Sequence, residues 1–460
     1  SSCSVATLAS CSFNSQTVAH GSSVTAYQAA SVAFGNSCSS ESRSCSNGTL
    51  SGTYTNPYCN VEEKEWSDVI FGTENTETVY DLLITENDDI LISWKSDSSY
   101  NLTRIDKVSE TVNHENYSSN ILQHLHLKDG ILHGVGSPYS NGNFSFKLTN
   151  IQNHPTEEIF SYDYSFFLTN QDVEYLPGDN LFVLQQVRGS VENQNHYGSN
   201  DSVLRRFFEN QEIWTKQFGT DDSDDPFQLK VAENSIFVLG NSYQNHSNYD
   251  FFLKSFDYNG NQNWNVSFGS WHNRDHAKGI AIDSENNVYV AGHTSESIFG
   301  ENVNSVSLSC GYNCRSYSGR SFIVKYNKDG QFQWVNIQNE PNDGCFSTGI
   351  QDIKINNDFI YFIQTINEDI GCKYSGLKKN DIYLKKWTTS GLELKSIKLE
   401  SSSYNFPDGE IQQIIPIKFS FNSNDDIVIV GITNKNIADL KVIGEYDIYV
   451  KKYNKDGEKY

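Results

Sequence analysis

The strongest pattern in the chain is a short apolar run, a polar turn, and another apolar run, many times over. HAKGIAIDSENNVYVAGHT (276–294) and, after an insertion, SFIVKYNKDGQFQWVNIQ (321–338) hold four such runs: GIAI, VYVAGHT, FIVKYN and FQWVNI. Each has the length and the β-branched or aromatic content of a strand. Between them, DSENN and NKDG carry tight-turn chemistry: Asp and Asn tolerate turn geometry and Gly supplies positive φ. The unit predicts a four-stranded antiparallel meander, with strands a to d in chain order.

The same grammar returns along the chain. SIFVLGNS (235–242) with DFFLKSFDYNGNQNWNVSFG (250–269) is one copy, and FIYFIQT (359–365) with DIYLKKWTTSGLEL (381–394) another. DDIVIVGIT (425–433) with DIYVKKYNKDG (447–457) is the last, and LFVLQQVRG (181–189) with DSVLRRFFENQEIWTKQFG (201–219) is looser. Two worn copies lie between 73 and 160, around DDILIS, NLTRIDK, GILHGVG and FSFKLTN. An outer-strand phrase, Trp, three or four residues, then Phe-Gly, recurs at Trp66, Trp214 and Trp264.

These phrases resemble the bacterial seven-bladed β-propeller repeat family (SBBP-type), whose units read roughly GIAVD…GNVYVTG…DAFVAKYDPSGNLLWS. The likeness runs from residue 62 to the end, or about 57 residues for each of seven blades, slightly above the usual ~40–50. It implies an all-β, seven-bladed propeller over 61–460. The residues alone lead to a similar place, because repeated four-stranded units must bury both faces and radial closure does so without long exposed edges. Six or eight blades remain compatible with the eroded early copies. The last copy ends at GEKY, where intact units continue into strand d, while VEEKEWSDVIFG (61–72) is a strand d with no a, b or c before it. The strand around Trp66 is therefore expected beside 447–453, completing the final blade.

Strand direction alternates, so the a–b and c–d turns share one rim and the b–c and d–a loops the other. The b–c loops are the long ones: 190–200, 241–249, 295–320, 366–380 and 434–446. Cys310, Cys314, Cys345 and Cys372 all fall on that long-loop rim, with 310–314 and 345–372 as the expected disulfides and crossed pairs or free thiols as alternatives. Long loops on a rigid scaffold are where recognition is usually carried.

Residues 11–60 read differently: rich in Ser, Thr and Gly, poor in aliphatics, and holding four cysteines. QTVAHGSSVTAYQ, SCSSESRSC and NGTLSG resemble a short cysteine-stapled module found in tandem copies in bacterial surface proteins. Disulfides are the natural staple for so small a core. The most economical pairing is Cys11 with Cys38 and Cys45 with Cys59, although spacing does not fix connectivity. Cys3, within a short remnant or linker at 1–10, is read as the last cysteine of a preceding copy, or else as a free or intermolecular thiol. The chain has no Met and begins SSCSV, which points to a processed or partial chain.

Composition narrows the function. The net charge is −23; a polyanion repels phosphate backbones and anionic lipid, so neither nucleic acid nor membrane insertion is expected. Cysteine usage points to an oxidising, extracellular or cell-surface location. Seven Asn-x-Ser/Thr sequons (Asn47, Asn101, Asn116, Asn143, Asn200, Asn245 and Asn265) are compatible with glycosylation but common by chance in so Asn- and Ser-rich a chain.

Four groups of residues are candidates for chemistry. Trp271, His272, Arg274 and Asp275 share the long-loop rim with Tyr312, Arg315, Tyr317 and Arg320. Aromatic faces stack on sugars and Arg grips carboxylates; against this, a Trp wedged between blades is the commoner arrangement. Asp221, Asp222, Asp224 and Asp225 in a d–a loop are a weak Ca²⁺ candidate, lacking the EF-hand register. His124 and His126 share one face of an inner strand, with His133 close behind. Without a Cys or carboxylate at ligand spacing, they are expected to line the channel rather than bind metal. Asp201, Asp250, Asp381 and Asp447 each open strand c, and such recurrence predicts a structural role.

No GxSxG, HExxH, P-loop or GxGxxG stands in the right context. The expected protein is a non-catalytic binding or structural one, without a cofactor, meeting protein or glycan at the long-loop rim. A propeller hydrolase or lyase acting on polysaccharide is the first alternative. A subunit of an extracellular filament or surface layer, self-assembling through the N-terminal module, is the second.

Overall fold

The computed structural model describes residues 8–32, 36–61, 66–97, 99–117, 122–136, 139–140, 143–152, 157–164, 168–176, 180–191, 193–232, 234–244, 248–268, 275–294, 320–338, 346–370, 377–405, 413–437 and 440–459. Every regular element among them is a strand, and none is a helix able to cross a membrane. The chain divides into two compact units, 1–67 and 68–459.

The first unit is stapled rather than packed. Cys11–Phe13 and Gln16–Val18 form a hairpin, and Ser23–Tyr27, Ser40–Ser46 and Thr49–Leu50 form a three-stranded sheet. Its buried core is small: Cys11, Phe13, Val18, Ala26 and Cys45. The disulfides are Cys11–Cys45 and Cys38–Cys59, which corrects the pairing of near neighbours expected from spacing. The reason lies in the sheet. Ser40–Ser46 runs back along Ser23–Tyr27 and carries Cys45 past Ser22, whose carbonyl accepts the Cys45 amide at 2.9 Å. Cys38 is left beyond the opposite end of that strand.

In the second unit the sheets follow one another along the chain. They span 77–117, 124–164, 168–218, 224–268, 276–337 and 346–405, each an antiparallel meander; the sheet at 124–164 carries an extra two-residue strand. A further sheet takes its first three strands from 414–453 and its outermost from Val69–Phe71, with Phe71, Ile70 and Val69 opposite Ile448, Tyr449 and Val450. That strand lies just beyond Trp66. The first strand of each sheet is innermost, and neighbouring inner strands touch in order: Glu77–Ile84, His124–Lys128, Leu168–Leu176, Asp224–Ala232, His276–Ile282, Phe346–Asn356 and Ile414–Phe421, the last returning to the first. This is a ring.

The core lies between sheets rather than within them. Phe182, Leu184 and Leu204 of one sheet meet Leu229, Ile236 and Val238 of the next. Phe237, Phe251 and Leu253 then meet Ile280, Val290 and Phe322. Outer strands are fastened by tryptophan. Trp214 Nε1 donates to Tyr258 O and Trp264 Nε1 to Lys328 O, each at 2.9 Å and each in the following sheet. A methyl group on Gly330 (φ +79°) would lie 2.6 Å from Trp264. The turn phrase NKDG thus needs its Gly twice, for the positive φ and for the Trp resting on it. At the last such turn Ile397 occupies the place of the Trp against Gly457.

Candidate functional site

A set of paired charges lies on the inner strands, around the axis of the ring. Inner strands at 77–84, 168–176, 224–232, 276–282, 346–356 and 414–421 each carry one β-bulge against their neighbour. A bulge inserts a residue and re-aims the next side chain. The residues so placed are Asp81, Asp172, Gln228, Gly279, Asp352 and Lys418.

Most of them reach the next inner strand. Asp81 Oδ2 accepts the Leu125 amide at 2.8 Å, and Asp172 Oδ2 the Leu229 amide at 2.8 Å. Gln228 Oε1 accepts the Ile280 amide at 2.9 Å, and Asp352 Oδ2 the Phe419 amide at 3.2 Å. At Gly279 a methyl group would lie 2.7 Å from Ile353 Cγ2, so that joint is made by close approach instead. Where the ring closes, Lys418 Nζ donates to Asp81 Oδ1 at 2.8 Å. Burial pushes the Asp81 carboxyl up, but Lys418, His124 and the Leu125 amide outweigh it and hold the carboxyl below its usual range.

One step further along the inner strands, Lys230 pairs with Glu174. Burial opposes the Lys230 charge, yet Glu174 and Asp172 hold the ammonium above its usual range. His124 Nδ1 lies 3.6 Å from Asp172 Oδ1. Its carboxylate partner comes from the next sheet, outside any ligand spacing along the chain. Burial lowers His124 despite Asp172 and Asp81, and lowers His126 to about 4, so both rings are neutral near pH 7. His126 meets the Tyr175 ring edge-on at 5.1 Å, and Lys128 Nζ donates to the Tyr175 hydroxyl at 3.0 Å. Each of these acids and bases has a protein partner. The arrangement can hold sheets in register.

Asp224 and Asp225 open the inner strand Asp224–Ala232 rather than lying in a loop, a correction to the acidic-loop reading. Asp224 takes the Thr220 amide and hydroxyl, and Asp225 takes Gln186. Among the described residues no three of His, Cys, Asp and Glu come together as a cation site. Asp201 and Asp447 each accept the amides three and four residues before them: Gly198 and Tyr197, then Gly444 and Ile443. Asp381 takes Ser401 and Lys398 instead. Of the sequons, Asn47, Asn116 and Asn265 are exposed and Asn101 is buried. Trp271, His272, Arg274, Tyr312, Arg315 and Tyr317, together with Cys3, Cys310, Cys314, Cys345 and Cys372, lie outside the described residues. Sequence reasoning placed His124 and His126 at the channel but missed the bulged axial residues. Their signal is an aligned polar position in DLLI (81–84), DVEY (172–175) and DIKI (352–355), matching Gly279 of GIAI.

Residues 272–300 match the family model of the SBBP β-propeller repeat. A propeller repeat is present. No curated protein matches the chain in sequence. Among solved structures it is similar to the β-propeller domain of the trilobed protease from Pyrococcus furiosus, with 8% identity, a TM-score of 0.46, and coverage of 84% of this chain and 97% of that one. Apo prolyl oligopeptidase B from Galerina marginata gives 9% identity and a TM-score of 0.46, over 83% of this chain and 50% of that one. The GH43 endo-arabinanase from Bacillus licheniformis gives 10% and 0.28, over 63% and 95%. Likenesses this distant say nothing of activity.

Proposed function

We propose that the sheets of the second unit form a closed seven-bladed propeller, and that the chain is a non-catalytic extracellular protein using this propeller as a binding or structural head. One observation carries the reading. The acids and bases around the axis are bound to one another and to the amides of adjacent inner strands, and so serve the ring. Two disulfides fit an oxidising compartment. Contact with a glycan or protein partner is assigned to the long-loop rim, through Trp271, Arg274, Tyr312 and Arg315.

The test uses the full chain. It is screened for retention on immobilised polysaccharides and for release of new reducing ends from the same polymers. Retention without cleavage, abolished in Trp271→Ala/Arg274→Ala, is the expected result. Cleavage that survives that double substitution, but is lost on changing an axial carboxylate, overturns the reading in favour of a hydrolase or lyase.

A further inference from the structure

Two joints of the ring share one arrangement of paired acids. At the closing joint, Asp447 accepts the amides of Ile443 and Gly444, and Glu77 Oε1 accepts the Thr73 amide at 2.9 Å and hydroxyl at 2.7 Å. At an interior joint, Asp201 accepts the amides of Tyr197 at 3.0 Å and Gly198 at 3.2 Å, while Asp224 accepts the amide and hydroxyl of Thr220. The acids of each pair face one another across a glycine. A methyl group at Gly219 would lie 2.6 Å from Asp201 Oδ1 and 2.9 Å from Asp224 Oδ2; one at Gly72 would overlap Asp447 Oδ1 and lie 3.0 Å from Glu77 Oε2. All four side chains are at least 98% buried. Glu77 Oε2 is enclosed and has no hydrogen-bond partner.

Other joints fill the corresponding positions differently. Asp250 and Asp275 stand there at the next joint. At the one after, Arg320 and Thr348 stand there, so neither acid is present, and the Ser321 amide donates to Thr348 Oγ1 at 2.6 Å. Where Ile414 holds the second position, Asp381 has a cation of its own, Lys398, at 2.8 Å. Among these joints an acid stands at the second position only where the first is acidic too. Two enclosed carboxylates cannot both stay charged without large cost.

We propose that each acidic joint binds one proton, taken from solvent on folding and held between its two carboxyls, with Glu77 Oε2–H donating to Asp447 Oδ1 at the closing joint. Burial first, and the charge of Asp447, raise the Glu77 carboxyl; burial and Asp201 do the same for Asp224. The other charged groups are few. Glu445, which accepts from Thr76 Oγ1, is at the closing joint; Lys254, Asp222 and Asp225 are at the interior one, where Lys254 and Asp224 attract. Among the described residues, only the interior pair has a cation to lean on, so the closing joint shows the effect most clearly. A carboxyl raised above its unfolded value stabilises fully below that value, and the stabilisation is lost as pH rises through the folded one. The acid pair therefore holds its joint most firmly in acid.

Thermal unfolding of the full chain at about pH 5 and about pH 8, for wild type and Glu77→Gln, tests this. The amide N–H of Gln can replace the proton, so the variant should match wild type in acid and exceed it by roughly 2–4 °C at the higher pH. Superimposable pH dependence of the two proteins overturns the proposal. So does a midpoint raised by Ca²⁺ in wild type and not in the variant, which marks a cation site. Should Glu77→Gln fail to fold, Asp447→Asn is its reciprocal. Calorimetric unfolding of wild type and Glu77→Gln near pH 6 in two buffers of different ionisation enthalpy counts protons directly: release of more protons by wild type than by the variant, by up to about one, supports the latch, and equal counts refute it.

Discussion

The ring is closed by a joint made from distant parts of the chain, and continued by joints made from consecutive residues. Comparing the closing joint with the interior joint between 168–218 and 224–268 separates what a joint requires from what continuity supplies. Their hydrogen bonding is nearly the same. FGTENTE (71–77) meets IGEYD (443–447) as FGTDDSD (218–224) meets YGSND (197–201). Each holds a parallel bridge, Thr76 with Tyr446 and Asn200 with Ser223. The Glu77 amide donates to Tyr446 O at 3.2 Å, and the Asp224 amide to Asn200 O at 2.8 Å. The strands differ. Val69–Phe71 pairs over three residues, whereas the interior outer strand, Gln211–Phe218, pairs along nearly all its length. The joint is therefore specified by its two loops. Each joint seats its Phe on the following sheet: the Phe71 ring lies 5.8 Å from Trp94 and 5.1 Å from His114, and the Phe218 ring 5.2 Å from Phe256 and 6.3 Å from Phe252, while at the axis the closing joint adds Lys418 on Asp81.

Truncating the two phenylalanines should separate the joints most. Phe71 is buried and Phe218 only partly so. Phe71→Ala should cost about 3–5 kcal/mol, within the range for large-to-small core changes, and Phe218→Ala no more than about 2. Denaturant unfolding of both variants measures the difference. Equal costs would mean that the closing joint gains nothing special from Phe71.

Much of this was legible in the sequence. The meander, its turns and a strand d displaced to the start of the ring all follow from local patterns: apolar alternation, Asn/Asp-Gly turns, and the orphaned Phe-Gly phrase near Trp66. The role of Asp201 and Asp447 was legible too, because a residue that recurs around a ring serves the ring. Of the axial site, only His124 and His126 were. Asp81 and Lys418 are joined across the whole unit, and Asp172 reaches His124 from another sheet; no spacing rule connects them. The bulge that aims them is itself invisible, being one residue skipped in a ladder. The disulfides were misjudged for a related reason, since proximity along the chain was taken for proximity across a sheet.

A smaller effect should follow from filling the glycines. At Gly72 a side chain would strike Asp447, and at Gly219 it would crowd Asp201 and Asp224. Gly72→Ala and Gly219→Ala should each destabilise by about 1–3 kcal/mol, the usual cost of overpacking. Similar losses in thermal unfolding would show that both joints depend on the same close approach. A tolerated Gly72→Ala would mean that the closing loops can slide where the interior ones cannot.

The finest distinction is at the axis, where the closing joint uses an ion pair and an interior joint an amide. Lys418→Met removes the cation beside Asp81, and Gln228→Met removes the acceptor of the Ile280 amide. Lys418 is partly exposed to solvent, so its loss should cost about 1 kcal/mol near pH 7, close to that of the neutral bond. The pH dependence should tell them apart. The Asp81 carboxyl is held below its usual range, so its contribution is present above the unfolded carboxyl value and is lost as pH falls through the folded one. Lys418→Met should therefore flatten the acid limb of the stability curve, while Gln228→Met lowers the curve evenly. That limb has the opposite slope to the one assigned to Glu77, so the two effects can be read from the same titration of unfolding midpoints. If Lys418→Met leaves the acid limb unchanged, the Leu125 amide and His124 hold Asp81 by themselves, and the ion pair at the closure is incidental.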